Sequence, residues 1–219
     1  MKRTRHVPKE IGIFSVLIVV YLLFGLLSPG FMTTSNTFTL LLNGSVVALL
    51  AIGETFVLLT AGIDLSVGAG IALSGVVAAI AIQHGLPWYV GVLLALASTM
   101  LIGLFNGVVI HYVKVPPFIV TFATMGVASS IPLILTNATP IPITSQVFSF
   151  IGQGFIGPLP FAVLLLAVVA IVTHLVLSRT VFGLHVYSVG GNRESARLAG
   201  VNTAKVDVLV YMVSGLMAG

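Results

Sequence analysis

No lysine or arginine interrupts the chain between Lys9 and Lys114, and the only acids from Ile11 to Val113 are Glu54 and Asp64. So long a stretch cannot solvate a surface in water. A soluble domain carries about 25% charged residues, whereas only 6% of these 219 residues are charged and 58% are apolar, with a mean hydropathy of +1.20. The solvent for this chain is lipid. Cysteine is absent, which removes disulfide and thiolate chemistry.

A hydrocarbon core about 30 Å thick needs around 20 apolar residues per helix. Runs of that order cover 11–31, 38–60, 67–83, 89–113, 117–135 and 161–178. A seventh begins at Asp207 and has 13 residues by Gly219, short of a crossing, so the chain reads as a fragment or truncated product. The fold class is therefore all-α: a polytopic transmembrane bundle of six spans and a partial seventh. Residues 1–10 form a cytoplasmic N-terminal segment and 11–219 an incomplete membrane domain. The first run is too long for a signal peptide and lacks a small-x-small cleavage site.

The basic residues fix an orientation. Lys2, Arg3, Arg5 and Lys9 precede the first run, Lys114 stands alone, and Arg179, Arg193, Arg197 and Lys205 fill the loop 179–206. With the N-terminus inside and the six runs alternating, all nine face the cytoplasm, as the positive-inside rule expects. The pI near 9.7 is thus a topology signal and not a nucleic-acid footprint. The outer segment 136–160, rich in Pro and Gly, is too irregular to span and reads as a connector or a vestibule.

Asp64 lies in "GIDLS", inside an otherwise apolar region. Carboxylates at membrane depth mark pathways, relays or substrate contacts. The local alternative is a helix broken near 62–66, with Gly62 ending one helix and Asp64 or Ser66 capping the next. Backbone broken at that depth must be buried in protein or line a cavity. Gly62, Gly68, Gly70 and Gly75 would let a neighbouring helix approach the break. Glu54 faces either the bundle interior or the inner interface.

In the loop 179–206, Asn192 is a good N-cap, Glu194 falls in the first turn, Arg197 lies near the end and Gly200 is a stop signal. The pattern predicts a short cytoplasmic helix, with another beginning near Asn202 or Thr203. It serves either as a solvated connector or as a helix that docks in a partner's groove. Two GxxxG pairs, Gly103/Gly107 and Gly215/Gly219, read as packing glycines. His6, His84, His111, His174 and His185 show no metal-ligand spacing, and no nucleophile elbow, P-loop or HExxH occurs.

Three stretches, "GIDLSVGAGIALSG" (62–75), "VPPFIVTFATMGVASS" (115–130) and "FGLHVYSVGGNRESARLAGVNTAKVDVLVYMVSGLMAG" (182–219), resemble the membrane permease subunits of ribose-type sugar ABC importers. The resemblance covers most of the chain. It implies a non-enzymatic subunit of the cytoplasmic membrane, with ATP bound and hydrolysed by a separate ATPase and no cofactor in this chain. The implied partners are that ATPase, a periplasmic or lipid-anchored sugar-binding protein, a second permease subunit (like or unlike) and membrane lipid, with no nucleic acid. Gly190, Gly191, Asn192, Glu194, Arg197 and Gly200 would form the ATPase-coupling loop. Asn43, Asn106, Thr121 and Thr124, together with Ser45 and Thr55, either line a weakly polar path or bond between helices. Two other readings stand beside this one: an ion-coupled secondary transporter working through Glu54 and Asp64, and an inert fragment.

Overall fold

Proline and glycine set most of the helix ends in the computed structural model, which describes residues 9–143 and 145–219. Helix α1, Lys9–Leu27, stops before Ser28-Pro29-Gly30. Helix α2, Thr34–Leu59, starts on Thr33, whose hydroxyl accepts the Asn36 N–H. After a buried turn comes α3, Val67–Gln83, and then α4, Trp88–Val108, which runs on into a π-helical turn, Val109–Val113. Helix α5 is Pro117–Thr136 and α7 is Phe161–Arg179. Three shorter or later helices are α8, Val181–Gly191, α9, Arg193–Leu198, and α10, Thr203–Ala218. Lys2, Arg3, Arg5 and His6 lie outside the described residues, as do the side chains of Lys9 and Glu10.

Among the described residues the protein is all-α apart from one two-residue strand pair, Phe155–Ile156 with Leu159–Pro160. Each of the six predicted runs is a helix. Four of them, α2, α4 with its π turn, α5 and α7, are long and apolar enough to cross a membrane. The apolar parts of α1 and α3 are shorter, 17 residues each, or about 25 Å of helix. The segment 136–160 is less irregular than its composition suggests, because Ser145 caps a further helix, α6, Gln146–Gln153.

Helix α10 is the centre of the packing, against α4 on one side and α2 on another. The two GxxxG pairs both lie on the α4–α10 contact, Gly103 and Gly107 against Tyr211 and Val208, and Gly215 and Gly219 against Thr99 and Leu96. A Cβ on Gly103 would strike the Tyr211 carbonyl, and one on Gly215 would strike the Thr99 carbonyl. Without water between them, helices in lipid associate through such close backbone packing. The main buried cluster lies at the end of the bundle that carries α8 and α9: Phe56, Val57, Val186, Val189, Ala196, Val206, Val210 and Tyr211.

Candidate functional site

The turn between α2 and α3 is built around Asp64. Helix α2 ends in a Schellman-type closure, with the Gly62 N–H donating to the Val57 carbonyl (3.0 Å) and the Ala61 N–H to the Leu58 carbonyl (2.9 Å). The left-handed residue is Ala61, φ 61°, and not the glycine after it. Gly62 is needed for space instead: a Cβ there would sit 2.6 Å from the Tyr211 hydroxyl and 3.0 Å from Val57. Gly70 leaves similar room for Ala218 and Thr99, whereas Gly68 and Gly75 meet nothing within 4 Å.

Asp64 is only 3% exposed. Its Oδ1 accepts from the Ser66 N–H (3.0 Å) and the Ser66 hydroxyl (2.6 Å), and its Oδ2 from the Ser214 hydroxyl on α10 (2.8 Å). Asn106 on α4 donates to Ser66 Oγ (3.0 Å), and the Asp64 N–H donates to Glu54 Oε1 on α2 (3.1 Å). Ser66 is the N-cap of α3, yet its own side chain makes no capping bond. Asp64 therefore holds the start of α3 from one turn earlier and joins it to α10 and, through Ser66, to α4. Among the described residues, two buried acceptors in this neighbourhood, Glu54 Oε2 and Asn106 Oδ1, make no hydrogen bond.

The second group sits where α8, α9 and α10 meet. Thr180 caps α8, and Gly190 in its last turn lies against the Leu59 carbonyl, so closely that any side chain would collide. Gly191 ends α8. The Asn192 side chain accepts the Ser195 N–H (2.8 Å) to open α9. Gly200, φ 86°, closes it with the Val201 N–H on the Ala196 carbonyl (3.0 Å). Asn202 then caps α10 through the Lys205 N–H (2.9 Å). On α9, Ala196 is buried while Leu198 is 77% exposed. Arg197 grips Glu194 at 2.6 and 3.1 Å. Hydrogen bonding from Arg197, and then its charge, hold the Glu194 carboxyl below the ordinary glutamate range.

Sequence reasoning missed the strongest charged contact. Arg193 forks onto Asp207, with Nη1 at 2.5 Å from Oδ2 and Nη2 at 3.0 Å from Oδ1. His111, in the π turn, places Nδ1 2.7 Å from the same Oδ2. The Asp207 side chain is 5% exposed. A carboxylate can only accept, so the imidazole carries a proton on Nδ1. The acid at 207 looked like the polar start of an apolar run, and its partners are 14 and 96 residues away. No local pattern signals them. A cavity of about 360 Å³ borders the cluster, walled by Thr60, Ala61, Lys114, Pro116, Arg193 and Asp207, among others. Lys114 and Arg193 therefore lie at the same end of the bundle.

The remaining polar candidates divide. Thr121 is buried and donates to the Pro117 carbonyl (2.9 Å), with the Ile63 carbonyl at 3.4 Å. Thr124 is half-buried and lines an apolar groove of about 340 Å³ between α4 and α5. Asn43 and Thr55 are exposed on α2, and Ser45 is buried there. Among the described residues, no three His, Asp or Glu side chains converge as metal ligands.

A family model described as "Branched-chain amino acid transport system / permease component" matches residues 36–219. The ribose import permease protein RbsC of Haemophilus influenzae is 34% identical over 94% of this chain and 65% of its own length. RbsC of Bacillus subtilis is 33% identical over 97% and 66%. The D-allose transport system permease protein AlsC of Escherichia coli is 33% identical over 95% and 64%. The chain thus spans 64–66% of the length of these curated relatives. No solved structure matches it. With a match over most of its length and helices apolar enough for a bilayer, the chain is a membrane protein and belongs to this family of transport-system permease components.

Proposed function

We propose that this chain is the membrane-spanning permease subunit of an ATP-driven importer for a small sugar. The observation that carries the reading is similarity over more than nine-tenths of the chain to permeases named for ribose and allose. The family description names branched-chain amino acids instead. Sugar is preferred because whole-chain relatives bear individually on the substrate, whereas a family description spans many members.

In this reading the chain is not an enzyme and holds no cofactor. ATP is bound and hydrolysed by a separate cytoplasmic subunit, a second permease subunit completes the pathway, and a binding protein delivers the sugar from outside. The N-terminus and the end bearing Lys114, Arg193 and Lys205 face the cytoplasm. Helices α8 and α9 meet the ATPase: α9 presents Leu198 and the Glu194–Arg197 pair outward while Ala196 anchors it to the core. Closure of the ATPase pair moves α9, and the spans answer by opening to one side at a time. The pathway needs little affinity of its own, because the binding protein supplies it.

The test is uptake by the full-length protein with its partners. Inactivating the ATPase abolishes import, while collapsing ion gradients with an ionophore leaves it largely intact. The reverse result overturns the reading in favour of ion coupling through Glu54 and Asp64. A sharper version uses Glu54→Gln. The amide oxygen still accepts the Asp64 N–H, and no carrier proton is needed at 54 for ATP-driven import, so uptake persists. Loss of uptake in a normally assembled Glu54→Gln protein argues for an ion or proton carrier.

A further inference from the structure

Beyond the buried Thr203 at its start, helix α10 carries three more buried polar side chains on one face, Asp207, Tyr211 and Ser214, spaced by four and three residues. That spacing is one stripe along a helix. Each residue bonds to something different. Asp207 takes the Arg193 fork and His111, Tyr211 donates to the Ile63 carbonyl at 3.4 Å, and Ser214 donates to Asp64. Packing alone does not call for this stripe, because small and apolar residues suffice for helix association in lipid.

We propose that the stripe makes α10 a transmission rod between α9 and the Asp64 turn. The two ends lie seven residues apart, about 10 Å along the helix. At one end, Arg193 is the first residue of α9, and its two-point grip on a buried carboxylate resists rotation as well as sliding. At the other, Ser214 holds the carboxylate that organises the start of α3. The cavity of about 360 Å³ lies between the Arg193–Asp207 pair and the Thr60–Ala61 corner, beside the packed cluster that holds Ala196 against Phe56 and Val57, so the polar link from α9 to the Asp64 turn runs along α10. Two of its wall residues, Ala61 and Lys114, are non-glycine residues with positive φ, 61° and 62°. Such backbone collects at switch regions. A displacement of α9 thus reaches Asp64 by way of Asp207 and Ser214. Helix α4, which touches α10 backbone to backbone, moves with it. These are positioning residues, and their role rests on the reading of α9 as the helix that meets the ATPase.

The test uses the full-length permease assembled with its ATPase and binding protein in proteoliposomes. The readout is substrate imported per ATP hydrolysed, beside the amount and melting temperature of the complex. A merely structural role changes the last two and leaves the ratio alone. Asp207→Asn and Ser214→Ala each lower the ratio about fivefold or more. The double variant falls no lower than the worse single one, because both substitutions cut the same rod. Arg193→Lys, at a half-exposed side chain, keeps the charge but loses the fork and lowers the ratio too. An unchanged ratio in Arg193→Lys or in Ser214→Ala overturns the rod, as does a double variant whose loss is the product of the single losses. If Asp207→Asn fails to assemble, Arg193→Lys takes its place in the cycle under the same criteria. Wild-type import that proceeds without ATP overturns the reading of α9 first, and the rod with it, before any variant is made.

Discussion

Asp64 and Glu194 are both carboxylates beside a helix start, and they have opposite environments. Asp64 is buried, accepts three hydrogen bonds and ties the start of α3 to α10 and, through Ser66, to α4. Glu194 is exposed and bonded to a neighbour on its own helix. The energetic weight of an acid here depends on the groups its removal leaves unsatisfied. Stranded buried donors have no water to turn to, whereas an exposed arginine has plenty.

Four substitutions press on that contrast. Asp64→Ala strands the Ser66 N–H and the Ser66 and Ser214 hydroxyls in a dry site. The expected loss is about 3 kcal/mol or more in denaturant unfolding of the purified protein. A loss below about 1 kcal/mol breaks the comparison. Gly62→Ala removes no polar group but pushes the Tyr211 hydroxyl and Val57 aside, with an expected cost of about 2 kcal/mol in the same assay. Asn192→Ala removes the α9 cap at an exposed position, where water partly substitutes, and costs about 1 kcal/mol. Arg197→Ala is expected to leave the melting temperature unchanged, because solvent screens the pair. It returns Glu194 to the ordinary glutamate range, which carboxyl NMR titration reads directly. Because the folded-state value is lowered, whatever the pair adds is present at neutral pH and fades as pH falls through that lowered value.

The break at "GIDLS" and the cap-and-stop pattern of Asn192 and Gly200 were readable because both are local. So were the six apolar helices, since a run of apolar residues and its proline or glycine boundary need no knowledge of the rest of the chain. Helix α8 was not readable. Its Gly190-Gly191 pair reads as loop, and only the collision awaiting a side chain against Leu59 explains a glycine in that helical turn. Helix α6 was hidden by the prolines and glycines around it, although Ser145 stands in capping position. The Arg193–Asp207–His111 cluster and the seating of the two GxxxG pairs on the α4–α10 contact depend on contacts across the fold. No spacing along the chain encodes them.

The π turn at Val109–Val113 holds one residue more than regular α-geometry accommodates. It therefore behaves as an insertion whose phase can be reset. Removing one residue from this turn would restore the α-helical phase and swing the chain beyond it by about 100°. His111 would leave Asp207 while Arg193 kept its grip, so one codon's deletion separates the α4 branch of the cluster from the α9 branch without touching any charge.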